Sequence, residues 1–215
     1  MYKLYNVKAW GSLCVHFLLE EMGVPYQNIW MTEEQVKAPE FRAISPLGQI
    51  PALGLQDGRS LFESAAIVTF LLSAHPDKKL SPPPGSEDYG EFLSWLNFMS
   101  TNVYPAVSFA YYGSPYAMNA EQNDFAIKKA IEKLDELLLI LEKRLESEGP
   151  WIMDESYSAL DIYCFMLTIW GRPSEASLHR KFPHLARLAQ AVRARPKLKA
   201  ALEAHGVMQV GGYGS

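Results

Sequence analysis

The sequence predicts two structural units in series, a mixed α/β unit first and an all-helical unit after it. Two observations carry this reading. Short β-rich runs alternate with helical ones up to about residue 75, and from there the pattern is helical almost to the end. Between them lies Pro76-Asp77-Lys78-Lys79-Leu80-Ser81-Pro82-Pro83-Pro84-Gly85-Ser86, where three successive prolines cannot continue a helix and favour a stiff, extended connection. The expected boundaries are 1–76 for the first unit, 77–86 for the linker and 87–215 for the helical unit.

In the first unit, Lys3 to Val7 reads as a strand. Ser12 to Met22 is dense in apolar residues and stops at Gly23, as a helix does. Tyr26 to Met31 is a second strand, followed by a loop or short helix. Gln49 to Leu55 and Ser60 to Phe62 flank Gln56-Asp57-Gly58, a glycine-containing hairpin turn. Glu63 to Ala74 then places Ile67, Val68, Leu71 and Leu72 on one helical face. The order β-α-β-α-β-β-α is a thioredoxin-like arrangement. In the second unit, Glu87 to Val103 is amphipathic and is expected to be interrupted around Pro105. Asn123 to Ser147 carries Ile127, Ile131, Leu134, Leu138, Leu141 and Leu145 at three- and four-residue spacings. Asp161 to Trp170 is almost wholly apolar and reads as a central buried helix, with Ser158 and Asp161 as its reciprocal cap. His184 to Arg195 and Pro196 to His205 complete the helices, and Val207 to Ser215 reads as a loose tail.

Composition narrows the function classes. The chain has 215 residues and is 48% hydrophobic, enough to bury a core, and its net charge of −4 argues against a general nucleic-acid or anionic-membrane binder. No apolar run reaches the roughly 20 residues of a membrane span, and no signal-peptide stretch opens the chain, so a cytoplasmic protein is expected. Cys14 and Cys164 lie too far apart for a metal motif. The five histidines, His16, His75, His179, His184 and His205, show no ligand spacing and read as scattered surface or satisfied positions, so no metal is expected.

The most informative segment is Ser45-Pro46-Leu47-Gly48-Gln49-Ile50-Pro51-Ala52-Leu53, followed by Glu63-Ser64. A proline entering a strand cannot donate to the ladder. Pro51 therefore marks an edge or an unusual peptide geometry, and if the Ile50–Pro51 bond is cis, the Ile50 N–H and C=O face outward and can pair with an extended, peptide-like ligand. Ser64 opens a helix directly after a strand, where free amides, the positive end of the helix dipole and a hydroxyl favour an anion. The Glu63 carboxylate beside it can hold an ammonium. That combination suits a tripeptide bearing an amino-acid head.

Ser-Pro-Leu-Gly-Gln-Ile-Pro-Ala-Leu and Glu-Ser-Ala-Ala-Ile resemble the glutathione-binding motifs of the cytosolic glutathione S-transferases. The proline linker, the helical second half and Ser158-Ala159-Leu160-Asp161 match that family's plan, and the resemblance covers roughly residues 2 to 205. It implies glutathione as co-substrate, held by Trp10, Lys37, Gln49, Ile50, Pro51, Glu63 and Ser64, and a homodimer. Lys37 is the cation expected to meet the tripeptide's second carboxylate.

Activating the thiol demands more. A free thiol titrates near 8.5, and lowering its pKa by two units takes roughly 2.7 kcal/mol of preferential thiolate stabilisation. Counting back from Leu18-Leu19-Glu20-Glu21-Met22-Gly23, the family's activating serine falls on Ala9, the cysteine of its bacterial class on Gly11 and the tyrosine of its mammalian-type classes on Tyr5. Neither Ala9 nor Gly11 offers a side-chain donor. Ser12, at the expected helix start, is therefore the expected catalyst, supported by backbone amides, with Tyr5 as the alternative. Cys14 lies one turn into that helix and is expected to face the core, with a redox role as the alternative.

The acceptor site is expected between the units, as apolar clefts often are. Tyr104, Phe109, Tyr111, Tyr112 and Tyr116 crowd one stretch and point to a hydrophobic electrophile. The leading reading is a glutathione transferase. A non-catalytic interaction module and a glutathione-dependent thiol reductase or peroxidase stand as alternatives.

Overall fold

In a computed structural model the chain is described from Met1 to Gly212. It divides into two compact units, one of Met1–Pro84 with Arg193 onward and one of Gly85–Val192. Among the described residues no helix is long and apolar enough to cross a membrane.

The first unit is built on a four-stranded sheet. Strand β1 (Tyr2–Asn6) pairs in parallel with β2 (Tyr26–Trp30), the two joined by helix α1 (Leu13–Met22) as a parallel crossover requires. Strands β3 (Ala52–Gly54) and β4 (Ser60–Phe62) form the hairpin, and the sheet order is β2-β1-β3-β4. β3 is shorter than the expected Gln49–Leu55 run, because the stretch before Ala52 leaves the ladder. Helix α1 is buried on nearly every face and ends at Gly23, whose φ of 63° accommodates the left-handed turn that returns its N–H to Glu20. The short helix α2 (Glu33–Lys37) is closed at its start by Thr32 and Gln35, each capping the other's backbone amide. Helix α3 (Ser64–Ala74) buries Ile67, Val68, Leu71 and Leu72, the face expected from their spacing.

The second unit is mostly helical, with a non-helical segment around Trp151–Ser156 held by two antiparallel bridges. Helix α4 (Glu87–Phe98) opens on Ser86, whose hydroxyl takes the Tyr89 amide at 3.1 Å. The interruption expected around Pro105 takes the form of a π-helical segment, Met99–Val103, which leads into α5 (Tyr104–Tyr112) and places Pro105, which has no N–H to give, in that helix's first turn. Gly113, at φ 75°, ends α5 where a Cβ would lie 1.9 Å from Asn123 Oδ1. Helix α6 (Ala120–Glu148) buries Leu134, Leu138, Leu141 and Leu145, while Ile127 and Ile131 are half-buried.

Helix α7 (Ala159–Ile169) has every residue buried, as its composition implies, and its capping pair forms as expected. Helix α8 (Glu175–Lys181), capped by Ser174, carries too little apolar periodicity to be read from sequence. Helix α9 (Pro183–Arg193) begins on Glu142 of α6, whose two carboxylate oxygens accept the His184 and Leu185 amides, each at 2.9 Å.

The compact units depart from the sequence boundaries at the C-terminus. Arg193 onward belongs to the first unit rather than to the helical one. Arg195 grips the buried Glu21 of α1 through two bonds of 2.6 and 2.8 Å, and Lys197 donates to the Glu21 carbonyl at 2.8 Å. Helix α10 (Lys199–His205) then lays His205 against α1. The tail expected to be loose from Val207 to Ser215 starts on a buried Val207, whose carbonyl accepts from Arg193 Nε at 3.1 Å; its last three residues lie outside the described ones.

Candidate functional site

One end of the sheet gathers the motifs of the first unit. Tyr5 of β1 pairs with Ala52 of β3, which pairs with Phe62 of β4. Beyond this row lie the turn after β1, the Ile50–Pro51 peptide that starts β3, and the Glu63–Ser64 step that ends β4. The N-termini of α1 and α3 therefore arise at the same edge, where the positive ends of the two helix dipoles favour an anion.

The Ile50–Pro51 bond is cis. Ile50 has no backbone partner among the described residues, so its N–H and C=O remain open for a strand-like ligand. The side chain meanwhile joins a small core of Val7, Val36, Phe41 and Ala52, against which Tyr5 and Trp10 pack. Gln49 is exposed and holds its place through its amide, which donates to Ser45 Oγ at 3.2 Å. Glu63 caps α3 with φ 65°, a conformation a glutamate adopts at a cost of about 1 kcal/mol or more. Its carboxylate is exposed, while Ser64 beside it is buried as the first residue of α3.

The turn between β1 and α1 departs most from expectation. Ser12 is fully buried, and its hydroxyl faces Val7, taking that residue's N–H and reaching its carbonyl, both at 3.3 Å. It does not cap α1. The amides of Gly11 and Ser12 take no acceptor among the described residues, although both residues are buried. Tyr5, the alternative, packs edge-on against Phe41 with ring centroids 5.7 Å apart.

Lys37 does not stand apart as a free cation. Its ammonium pairs with Glu33 one turn back, and with 71% of the side chain exposed such a pair contributes little.

Cys14 is unsuited to redox chemistry. It is 1% exposed, its Sγ donates to the Gly11 carbonyl, and burial pushes the thiol up to about 12. Cys164 is equally buried and its thiol is pushed up by the same cause. Native protein at pH 8 is therefore expected to react at neither thiol with a disulfide reagent, and at both once unfolded, as counted by absorbance of the released chromophore. Rapid modification of Cys14 in the folded protein would contradict this placement.

The aromatic residues of α5 divide by face. Tyr104 packs against Trp170 with ring centroids 5.2 Å apart, and Tyr111 lies under the Arg172 guanidinium at 4.6 Å. Phe109 and Tyr112, with Tyr116 beyond them, are exposed. Sequence reasoning missed Trp170 and Arg172 as neighbours of this cluster, since they sit about sixty residues further along the chain.

Comparison with known proteins bears on both units. Residues 12–74 match the family model described as glutathione S-transferase, N-terminal domain, and residues 104–205 match glutathione S-transferase, C-terminal domain. The chain is 30% identical to the uncharacterized GST-like protein YncG of Escherichia coli K12, over 94% of its own length and 98% of the relative's. It is 26% identical to the glutathione S-transferase GstA of Escherichia coli O157:H7, over 95% and 99%. Among solved structures, a ternary complex of BphK, a bacterial GST, superposes with a TM-score of 0.83 at 27% identity, covering 95% of this chain and 99% of that one. A sphingomonad glutathione S-transferase complexed with glutathione gives 0.82 at 26%, with the same coverage.

Proposed function

From the premise that the chain belongs to the cytosolic glutathione S-transferase family, we propose that it binds glutathione at the gathered end of its sheet and stabilises the thiolate for attack on a hydrophobic electrophile. The observation that carries the reading is the shared row Tyr5, Ala52 and Phe62, which brings an open backbone pair, a helix N-terminus with a serine and an exposed carboxylate to one edge. The Ile50 N–H and C=O pair with the tripeptide backbone. Ser64 and the first amides of α3 take a carboxylate, and Glu63 takes the ammonium.

The thiolate is held by the Gly11 amide, which has no acceptor among the described residues. The Ser12 hydroxyl, committed to Val7, keeps that turn in shape. A backbone donor fixed by the turn supports the charge as it forms. The aromatic side chains of α5 support an apolar or aromatic acceptor.

Calorimetric titration with glutathione tests the binding site. A Kd of about 1 mM or tighter is expected, equivalent to −4 kcal/mol. Ser64→Ala is expected to weaken binding about tenfold, the loss of one hydrogen bond to a charged group. Absence of binding by the wild-type protein would sink the proposal, and so would a Ser64→Ala variant with unchanged affinity. The open-amide reading also separates two outcomes for Ser12→Ala. A hydroxyl that contacted the sulfur would raise the thiol pKa of bound glutathione by two units, whereas a turn-shaping hydroxyl changes stability first and that pKa by less than one.

A further inference from the structure

His205 and His16, expected to be unrelated, meet inside the first unit. His205 Nε2 lies 2.8 Å from His16 Nδ1, and both rings are almost fully buried. The Ala9 amide points at His205 Nδ1 from 3.0 Å. An amide can only donate, so this nitrogen of His205 carries the lone pair and Nε2 carries the proton. Nε2–H then donates to His16 Nδ1, whose lone pair is shared with the Asn6 Nδ2 donor at 3.2 Å. The His16 proton is left on Nε2, facing Glu20 Oε1 at 3.9 Å, and Glu20 is itself bonded by the Tyr26 hydroxyl. One tautomer of each ring accommodates the Ala9 bond and the bond between the rings, the two shortest contacts in the chain. Burial keeps both neutral, His16 down to about 4 and His205 to about 3, the latter with Lys8 and His16 adding to the effect.

The start of this chain of bonds is what gives it consequence. Ala9 has φ 58°, a conformation that is unfavourable for a residue with a Cβ and that must be held by its surroundings. It stands two residues before Gly11, whose open amide is assigned above to the thiolate. We propose that His205 is a positioning residue for the thiol-binding turn, fixing the Ala9 peptide through Nδ1 while His16 holds His205 in the required tautomer. This rests on the glutathione reading of the site and adds to it a role for the last helix. The helix that returns from the far end of the sequence acts on the turn where the thiolate forms, without touching the substrate itself.

Three measurements test it. First, nitrogen NMR of the imidazoles in wild-type protein at pH 7 is expected to report Nε2–H and unprotonated Nδ1 for both rings; Nδ1–H on His205 would overturn the proposal without any substitution. Second, the absorbance of bound glutathione thiolate against pH is expected to shift up by about one unit in His205→Phe, which keeps the ring volume and removes the acceptor. Its glutathione Kd is expected to stay within about threefold, because Ile50 and Ser64 lie on other segments. Third, His205→Asn, whose Oδ1 can replace Nδ1 as acceptor for Ala9, is expected to recover most of that shift. A folded His205→Phe protein with the wild-type thiol pKa would overturn the positioning role alone. Wild-type protein that binds no glutathione would overturn the function proposed for the site, while the tautomer measurement would still read the bond itself.

Discussion

Asp161→Ala is expected to cost about 4 kcal/mol of stability, the largest loss from any single substitution considered for the helical unit. The carboxylate is fully buried and accepts from the Ile152 amide at 2.9 Å, the Ser158 amide at 2.7 Å and the Ser158 hydroxyl at 3.2 Å. Removing it strands two buried N–H groups, each costing about 1–3 kcal/mol when left without a partner, and opens the cap of a helix that is buried along its whole length. Burial pushes the carboxyl itself up to about 7 despite those donors, so the group stays only because its bonds tie the Trp151–Ser158 segment to α7. Ser158→Ala, which leaves both carboxylate bonds to backbone, is expected to cost only about 1 kcal/mol. Asp161→Asn retains one acceptor and turns an amide donor toward another, and it should fall between the two. Urea denaturation read by circular dichroism checks the ranking, and an Asp161→Ala protein within about 1 kcal/mol of wild type would refute it.

Arg195→Met is expected to cost about 3 kcal/mol and to loosen the last segment from the first unit. Glu21 is 4% exposed, and its two oxygens are held by the Arg195 guanidinium, with Lys197 more distant at 3.8 Å. Taking away one member of a buried pair leaves a charge with little solvent to receive it, at a cost of about 3–5 kcal/mol; the partial exposure of Arg195 and the remaining Lys197 place this case at the low end. Replacing both partners, Glu21→Leu with Arg195→Met, is expected to recover most of the loss, because two apolar groups leave nothing unpaired. Limited proteolysis provides the second readout. Cleavage after Arg193 should accelerate in the single variant and return toward wild type in the double. Equal stability of the single and double variants would show that the stranded charge is not the cause.

Much of this molecule is legible without coordinates. The hairpin, the helices α3, α6 and α7, the Ser158–Asp161 cap and the linker all depend on residues within a few positions of one another. Periodicity, turn chemistry and capping signal such contacts directly. The Ile50–Pro51 and Glu63–Ser64 motifs were legible for the same reason, each being a local geometry that only a few residue types produce.

The turn after β1 was not. Ser12 looked like a helix cap with a free hydroxyl, and only its proximity to the Val7 backbone commits that hydroxyl elsewhere. Lys37 has the composition of an available cation, and only the folded helix shows its ammonium turned to Glu33. Trp170 and Arg172 gave no sign that they would meet Tyr104 and Tyr111.

The sequence by itself therefore determined the order of the two units, the proline-rich stretch at which one gives way to the other, and the Ile50–Pro51 and Glu63–Ser64 motifs. Tertiary structure alone decided that the last helix returns to α1, that Glu21 meets Arg195, and that His16, His205 and Ala9 form one chain of hydrogen bonds. The physical reason is distance along the chain. A contact between neighbours leaves its mark in spacing and composition, whereas two buried histidines separated by 189 positions look, in sequence, like any other pair.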